Sequence, residues 1–129
     1  MQNMNNPSWE QIVIEGFLSS PHEVEHAPAN DKVTKLLGFI GTGKEKAITR
    51  RALKAAMGLS DRATRKVIEE ARNCGYNIVN IDGGSGYYIP DEIDDKVKFY
   101  KQEYARAISI LRRLKTLRKD LKDAGCLPQ

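Results

Sequence analysis

The chain has 129 residues, 40% apolar and 29% charged, with a formal net charge of +4. That length holds one globular domain plus extensions and excludes two sizeable cores, while Cys74 and Cys126, far apart and without a CxxC pair, exclude a disulfide framework or a zinc ribbon. No apolar run is long enough for a membrane span, and the opening MQNMNNPSWEQ lacks the basic-then-apolar profile of a signal peptide, so a cytoplasmic protein with no membrane partner is expected.

Residues 1–30 read as an acidic extension and linker. They carry Glu10, Glu15, Glu23 and Glu25 with no Lys or Arg, which leaves formal +8 on the remainder. SWEQIVIEGFLS places Trp9, Ile12, Val13 and Phe17 on one side of a short helix capped by Ser8; a strand through QIVIEGFL is the alternative. In SSPHEVEHAPAND the histidines His22 and His26 stand i, i+4, but among prolines they read as solvated linker residues and not as metal ligands.

Residues 31–90 read as the folded domain. DKVTKLLGFIG predicts a helix with Val33, Leu36, Leu37 and Ile40 inward, capped by Asn30 or Asp31 and stopped at Gly41. The segment AIT, residues 47–49, predicts a minimal strand. Thr49 then caps a helix with Leu53, Ala56 and Met57 inward, ended by Gly58. Ser60 caps the next helix, which runs to Cys74 with Ala63, Val67, Ile68, Ala71 and Cys74 inward and Gly75 as its stop. Residues 76–81 alternate and are rich in β-formers, DGGSG supplies a reversal, and residues 87–89 return, so a β-hairpin closed by Pro90 is predicted.

From 91 to 124 an acidic first turn and a basic last half match a helix dipole, predicting one long helix before a short tail, residues 125–129. At 1.5 Å per residue it extends roughly 50 Å, beyond the 25 to 30 Å or so of a 60-residue domain. Val97, Tyr100, Tyr104, Ala107, Leu111 and Leu114 follow 3,4 spacing, and Ile110, Leu114, Leu117 and Leu121 repeat it on a shifted seam. A homodimer through this helix is expected, with packing onto the chain's own N-terminal segment as the alternative.

Three constellations could carry chemistry. GFIGTGK, residues 38–44, has the glycine and lysine spacing of a phosphate-binding loop, but Glu45 stands where Ser or Thr would ligate magnesium and a helix pattern precedes it, so no nucleotide is expected. No GxSxG, His–Cys pair or HExxH occurs, and the carboxylates Asp91, Glu92, Asp94 and Asp95 complement a helix start; neither enzyme activity nor a cofactor is expected. The third is the helix from Asp61 to Cys74, whose outward face is Asp61, Arg62, Arg65, Lys66 and Glu69. Arginine can bridge O6 and N7 of guanine, which makes Arg62 and Arg65 base-contact candidates and Lys66 a partner for phosphate. Thr49, Arg50, Arg51, Lys54 and Ser60, near the helix ends, and Ser85 at the hairpin tip are candidates for backbone contact.

In AITRRALKAAMGLS, SDRATRKVIEEARNCGYNI and GSGYYI, covering residues 47–89, the chain resembles the winged helix-turn-helix domain of the biotin-repressor type. The resemblance implies a mainly α fold with a small β-hairpin wing, an α+β class, in which residues 60–74 enter the major groove and residues 82–87 touch flanking backbone. The pattern departs at Thr64, where an apolar side chain is usual, and in the wing tip, which lacks Lys and Arg. The ending from GSGYYIPDEI through LRRLKTLRKDL is similar to small winged-helix proteins of phages and prophages of Gram-positive bacteria. That implies a double-stranded DNA-binding protein acting in transcription or replication; the alternative is a winged-helix module that grips another protein in a nucleoprotein assembly.

Overall fold

A computed structural model describes residues 7–20 and 30–128; His22 and His26 lie outside the described residues. Two compact units result, Glu23–Gln102 on the one hand and Met1–His22 with Glu103–Gln129 on the other. The regular structure among the described residues is helical: α1 (Trp9–Leu18), α2 (Asp31–Leu37), a short 3-10 turn (Lys44–Lys46), α3 (Arg50–Met57), α4 (Asp61–Asn73) and α5 (Ile93–Asp123). α5 is the one element that runs through both units.

In the larger unit three helices start on a side-chain cap. Asn30 Oδ1 accepts from the Val33 amide at 2.9 Å, and Thr49 Oγ1 and Ser60 Oγ accept from Ala52 and Ala63 at 3.1 Å each, filling amides that a helix start leaves open. α2 ends at Leu37, one turn before Gly41. The chain is drawn out there because Gly41 O accepts from the Ile89 amide at 2.9 Å and the Gly43 amide donates to Ile89 O at 2.8 Å. The phosphate-loop spacing of GFIGTGK thus lies in an extended connection and a 3-10 turn.

α2 and α3 both pack on α4, through a core that includes Val33, Leu36, Leu53, Met57, Val67 and Ile68. Thr64 lies fully inside this core, and its Oγ1 donates to Ser60 O at 2.8 Å. The hydroxyl is satisfied within its own helix, so a polar residue at an apolar position leaves no unpaired group. Ala63 and Cys74, expected inward, are half-buried.

The β-hairpin wing expected over residues 76–89 is not formed, and with it the α+β class is overturned. Among the described residues there is no strand, only single bridges of Thr42 to Ile89, Ile48 to Tyr87 and Val79 to Tyr88. The minimal strand expected over 47–49 reduces to the Ile48 bridge, because Thr49 already turns into α3. Pairing stops after Val79 because the chain turns back on itself at Ile81. Gln102 Nε2 donates to Asn80 O at 3.0 Å and Gln102 Oε1 accepts from the Asp82 amide at 2.8 Å. These groups face away from residues 87–89, since the rung after Val79 and Tyr88 would run through Ile81 and Gly86. The Gly84 amide turns back onto Ile81 O at 2.8 Å, leaving 82–86 as a loop.

The Tyr88 hydroxyl is buried without a hydrogen-bond partner among the described residues. Burial first, then the neighbouring Asp95 and Asp91 carboxylates, push its pKa above the ordinary tyrosine value. Asp95 is itself buried, so this carboxylate of the acidic helix start does more than face solvent. Replacing Tyr88 by phenylalanine should change stability at neutral pH by less than about 1 kcal/mol, since the ring is kept and the hydroxyl removed lies beside the buried Asp95 carboxylate. The sign of the pH effect follows from the raised pKa. The native state resists ionisation at this group, a contribution present below the ordinary tyrosine value and lost as pH rises through the folded one. Denaturant titrations at neutral and alkaline pH should show the variant losing less stability on the alkaline side; an equal loss in both proteins would refute this.

The smaller unit is built on α1 and the second half of α5. Gln11 Oε1 accepts from the Ser8 amide at 2.9 Å and Ser8 Oγ from the Gln11 amide at 3.3 Å, a capping box that settles the segment as helix and removes the strand alternative. Glu10, not the apolar side, is buried, and its Oε1 lies 3.5 Å from Arg112 Nε. Lys115 Nζ sits 5.5 Å from the centre of the Trp9 ring. The Glu10 carboxyl is held below the usual glutamate range, chiefly by a backbone hydrogen bond acting against burial, with Ser8, Arg112 and Lys115 adding to the lowering. α5 therefore does meet the chain's own N-terminal segment. Past Trp9 the apolar side of α1 stays exposed, Phe17 at 80% and Ile12 at 59%.

Candidate nucleic-acid interface

α3 and α4 are joined by Gly58, Leu59 and Ser60. Gly58 adopts φ +66°, which closes α3 with a left-handed residue and lets the chain restart as α4 after two more. A turn of this length joins the helices of a helix-turn-helix motif and of an antiparallel helix hairpin alike. Arg62, Arg65, Lys66 and Glu69 are exposed, on the side of α4 opposite Val67, Ile68 and Ala71.

Asp61, at the first position of α4, joins the two helices electrostatically. Its Oδ1 is 2.8 Å from Arg50 Nε and its Oδ2 is 3.2 Å from Arg65 Nε. Both arginines are engaged through Nε, which leaves their terminal nitrogens as donors. Arg62 and Lys66 have no ion-pair partner among the described residues. Arg50 and Arg51 occupy the first turn of α3, where no acidic side chain is present. Cations at a helix N-terminus oppose the dipole, and an anion placed there would relieve the opposition.

The loop 82–86 meets the start of α3. Thr49, Arg50, Ser85, Gly86, Asn80 and Tyr87 line one open cleft, so three of the residues singled out in the sequence come together there. Gly86 makes the approach possible, with φ +130° and its α-carbon so close to the chain that an added Cβ would overlap the Ile48 carbonyl oxygen. Ser60 and Thr49 use their oxygens as cap acceptors, and each keeps its O–H to donate outward. Arg51 is exposed and Lys54 half-buried.

The roles of Asp61 and Gly86 were not read from the sequence. The Asp61–Arg65 pair has a sequence signal, the i, i+4 spacing of opposite charges on a helix. The Arg50 contact crosses the turn between helices and has none. Among the described residues no group of three His, Cys, Asp or Glu is placed to hold a metal ion, and no helix is long and apolar enough to cross a membrane. Compared with protein-family models, curated proteins and solved structures, the chain matches none.

Proposed function

We propose that this chain binds double-stranded DNA through α3 and α4, with α4 in the major groove, as a regulator of transcription or replication. The observation that carries the reading is the concentration of exposed cations around the starts of two helices linked by a three-residue turn: Arg50 and Arg51 on α3, Arg62, Arg65 and Lys66 on α4. Arg62 and Arg65 take the base edges. Lys66, Arg50, Arg51 and the hydroxyls of Thr49, Ser60 and Ser85 take phosphate oxygens, fixing register without reading sequence. No nucleotide, metal or other cofactor enters this reading.

The test begins with selection of a preferred duplex from random sequences. Arg65→Ala should then cost roughly 1 to 3 kcal/mol on the preferred duplex and much less on random DNA, measured by fluorescence anisotropy at fixed salt. Equal losses on both would remove base reading from Arg65. One observation favours a second reading, a module that grips protein: Asp61 already neutralises part of the cationic face. Absence of any duplex shift at low salt would decide for it.

A further inference from the structure

The smaller unit leaves a surface that neither the DNA reading nor its own packing uses. With two helices it forms a single layer, and each helix can turn one side inward at most. Ile108 is the one buried apolar side chain among its described residues. Trp9, Ile12, Val13 and Phe17 of α1 stay exposed at 3,4 spacing, as do Ile110, Leu114 and Leu117 of α5 at the i, i+4, i+7 spacing of a helix seam. Trp9, at the start of the first stripe, lines one groove with Leu114 and Leu117 of the second. A ten-residue helix such as α1 is below the length at which isolated helices persist in water and depends on packing.

We propose that a second copy of this chain covers the surface, the two smaller units pairing about a two-fold axis so that α1 of each lies against α5 of the other in a four-helix bundle. Charge selects this occupant and this arrangement. α1 carries Glu10 and Glu15 and no basic residue, whereas the second half of α5 carries Arg106, Arg112, Arg113, Lys115, Arg118 and Lys119 against few acids. Pairing α5 with α5 alone would face like charges across the seam. Placing the partner's acidic, apolar α1 there repeats in trans the attraction already present within one chain, where Arg112 meets Glu10 and Lys115 meets Trp9. A two-fold contact uses the same patch on both copies and closes on itself, which limits assembly to a dimer. The inference does not rest on DNA binding.

Sedimentation equilibrium of the full chain, with reductant present so that the exposed Cys126 cannot cross-link copies, should give twice the 14.5 kDa chain mass at roughly 50 μM. Phe17→Glu and Leu114→Glu alter exposed side chains, so each should keep its helical circular dichroism while weakening the dimer at least tenfold. Glu15→Lys, which places a cation opposite the basic α5, should weaken it severalfold, and the more so at low salt. A monomer mass for the native chain would overturn the proposal, as would a dimer indifferent to both glutamate substitutions or open-ended association. A dimer weakened by the two glutamates but strengthened by Glu15→Lys would overturn the crossed arrangement. Each is read without DNA, so failure here is separate from failure of the DNA reading.

Discussion

Gly86→Ala should cost more than about 3 kcal/mol of folding stability, the largest single effect expected in this chain, and should lower the midpoint of thermal unfolding by roughly 12 to 24 °C for a unit of this size. Two causes add. At φ +130° an L residue is strained by itself, on the order of 1 to 3 kcal/mol. The new Cβ would also drive into the Ile48 carbonyl, the same oxygen that accepts from the Tyr87 amide at 2.8 Å. The backbone must move, and what moves is the residue pair just before α3, with the Thr49 cap. Gly83 separates the causes, since it has φ +77° but nothing within 4 Å of a Cβ. Gly83→Ala should therefore cost only about 1 kcal/mol. Urea titrations of the two variants decide the matter: equal losses would mean that the close approach at Gly86 carries no weight.

The second large effect is electrostatic. If about four phosphates are neutralised, the slope of log affinity against log salt is roughly −3.6, and duplex affinity should fall about a hundredfold between 50 and 200 mM salt. Asp61→Asn sharpens this. Its carboxylate stands between Arg50 and Arg65, so removing one negative charge should add up to about 0.9 to the steepness of that slope and raise affinity for random DNA severalfold at low salt. Discrimination should fall at the same time, because Arg65 loses the contact that aims its guanidinium. Folding stability should change by less than about 1 kcal/mol, since both ion pairs are substantially exposed. Anisotropy titrations across a salt series measure both quantities. An unaltered slope and an unaltered ratio of preferred to random affinity would show that Asp61 does not act on the binding face.

The helices were legible because their signals are local. The pattern predicts caps at Thr49, at Ser60 and at Asn30 or Asp31, and Thr49, Ser60 and Asn30 are caps; it predicts Gly58 as the stop of α3 and Leu36, Leu53 and Ile68 inside, as they are. The hairpin failed because alternation and a glycine turn report what a segment could pair with, not what competes for its backbone. The Gly84 amide takes the Ile81 carbonyl that the next rung would have used, and alternation within residues 76–89 does not announce it. The N-terminal helix and its Ser8 cap are where the pattern predicts them. Periodicity located its apolar side but could not say that Glu10 would face α5 and leave Phe17 in water. For the candidate site, the exposed arginines and lysine were readable from helix phase. The cleft that joins Ser85 to Thr49 and Arg50 was not, because it depends on how closely Gly86 lets two distant stretches of chain approach.

The position of Trp9 has a practical consequence. It is the chain's single tryptophan, and it lies in the unit of α1 and the second half of α5, under Lys115. Intrinsic fluorescence therefore reports the melting of that unit alone, whereas circular dichroism sums the helices of both. The same sample thus carries a built-in test of cooperativity: coincident curves would identify a single all-or-none transition, and an earlier fluorescence change would isolate the separate melting of the two-helix unit.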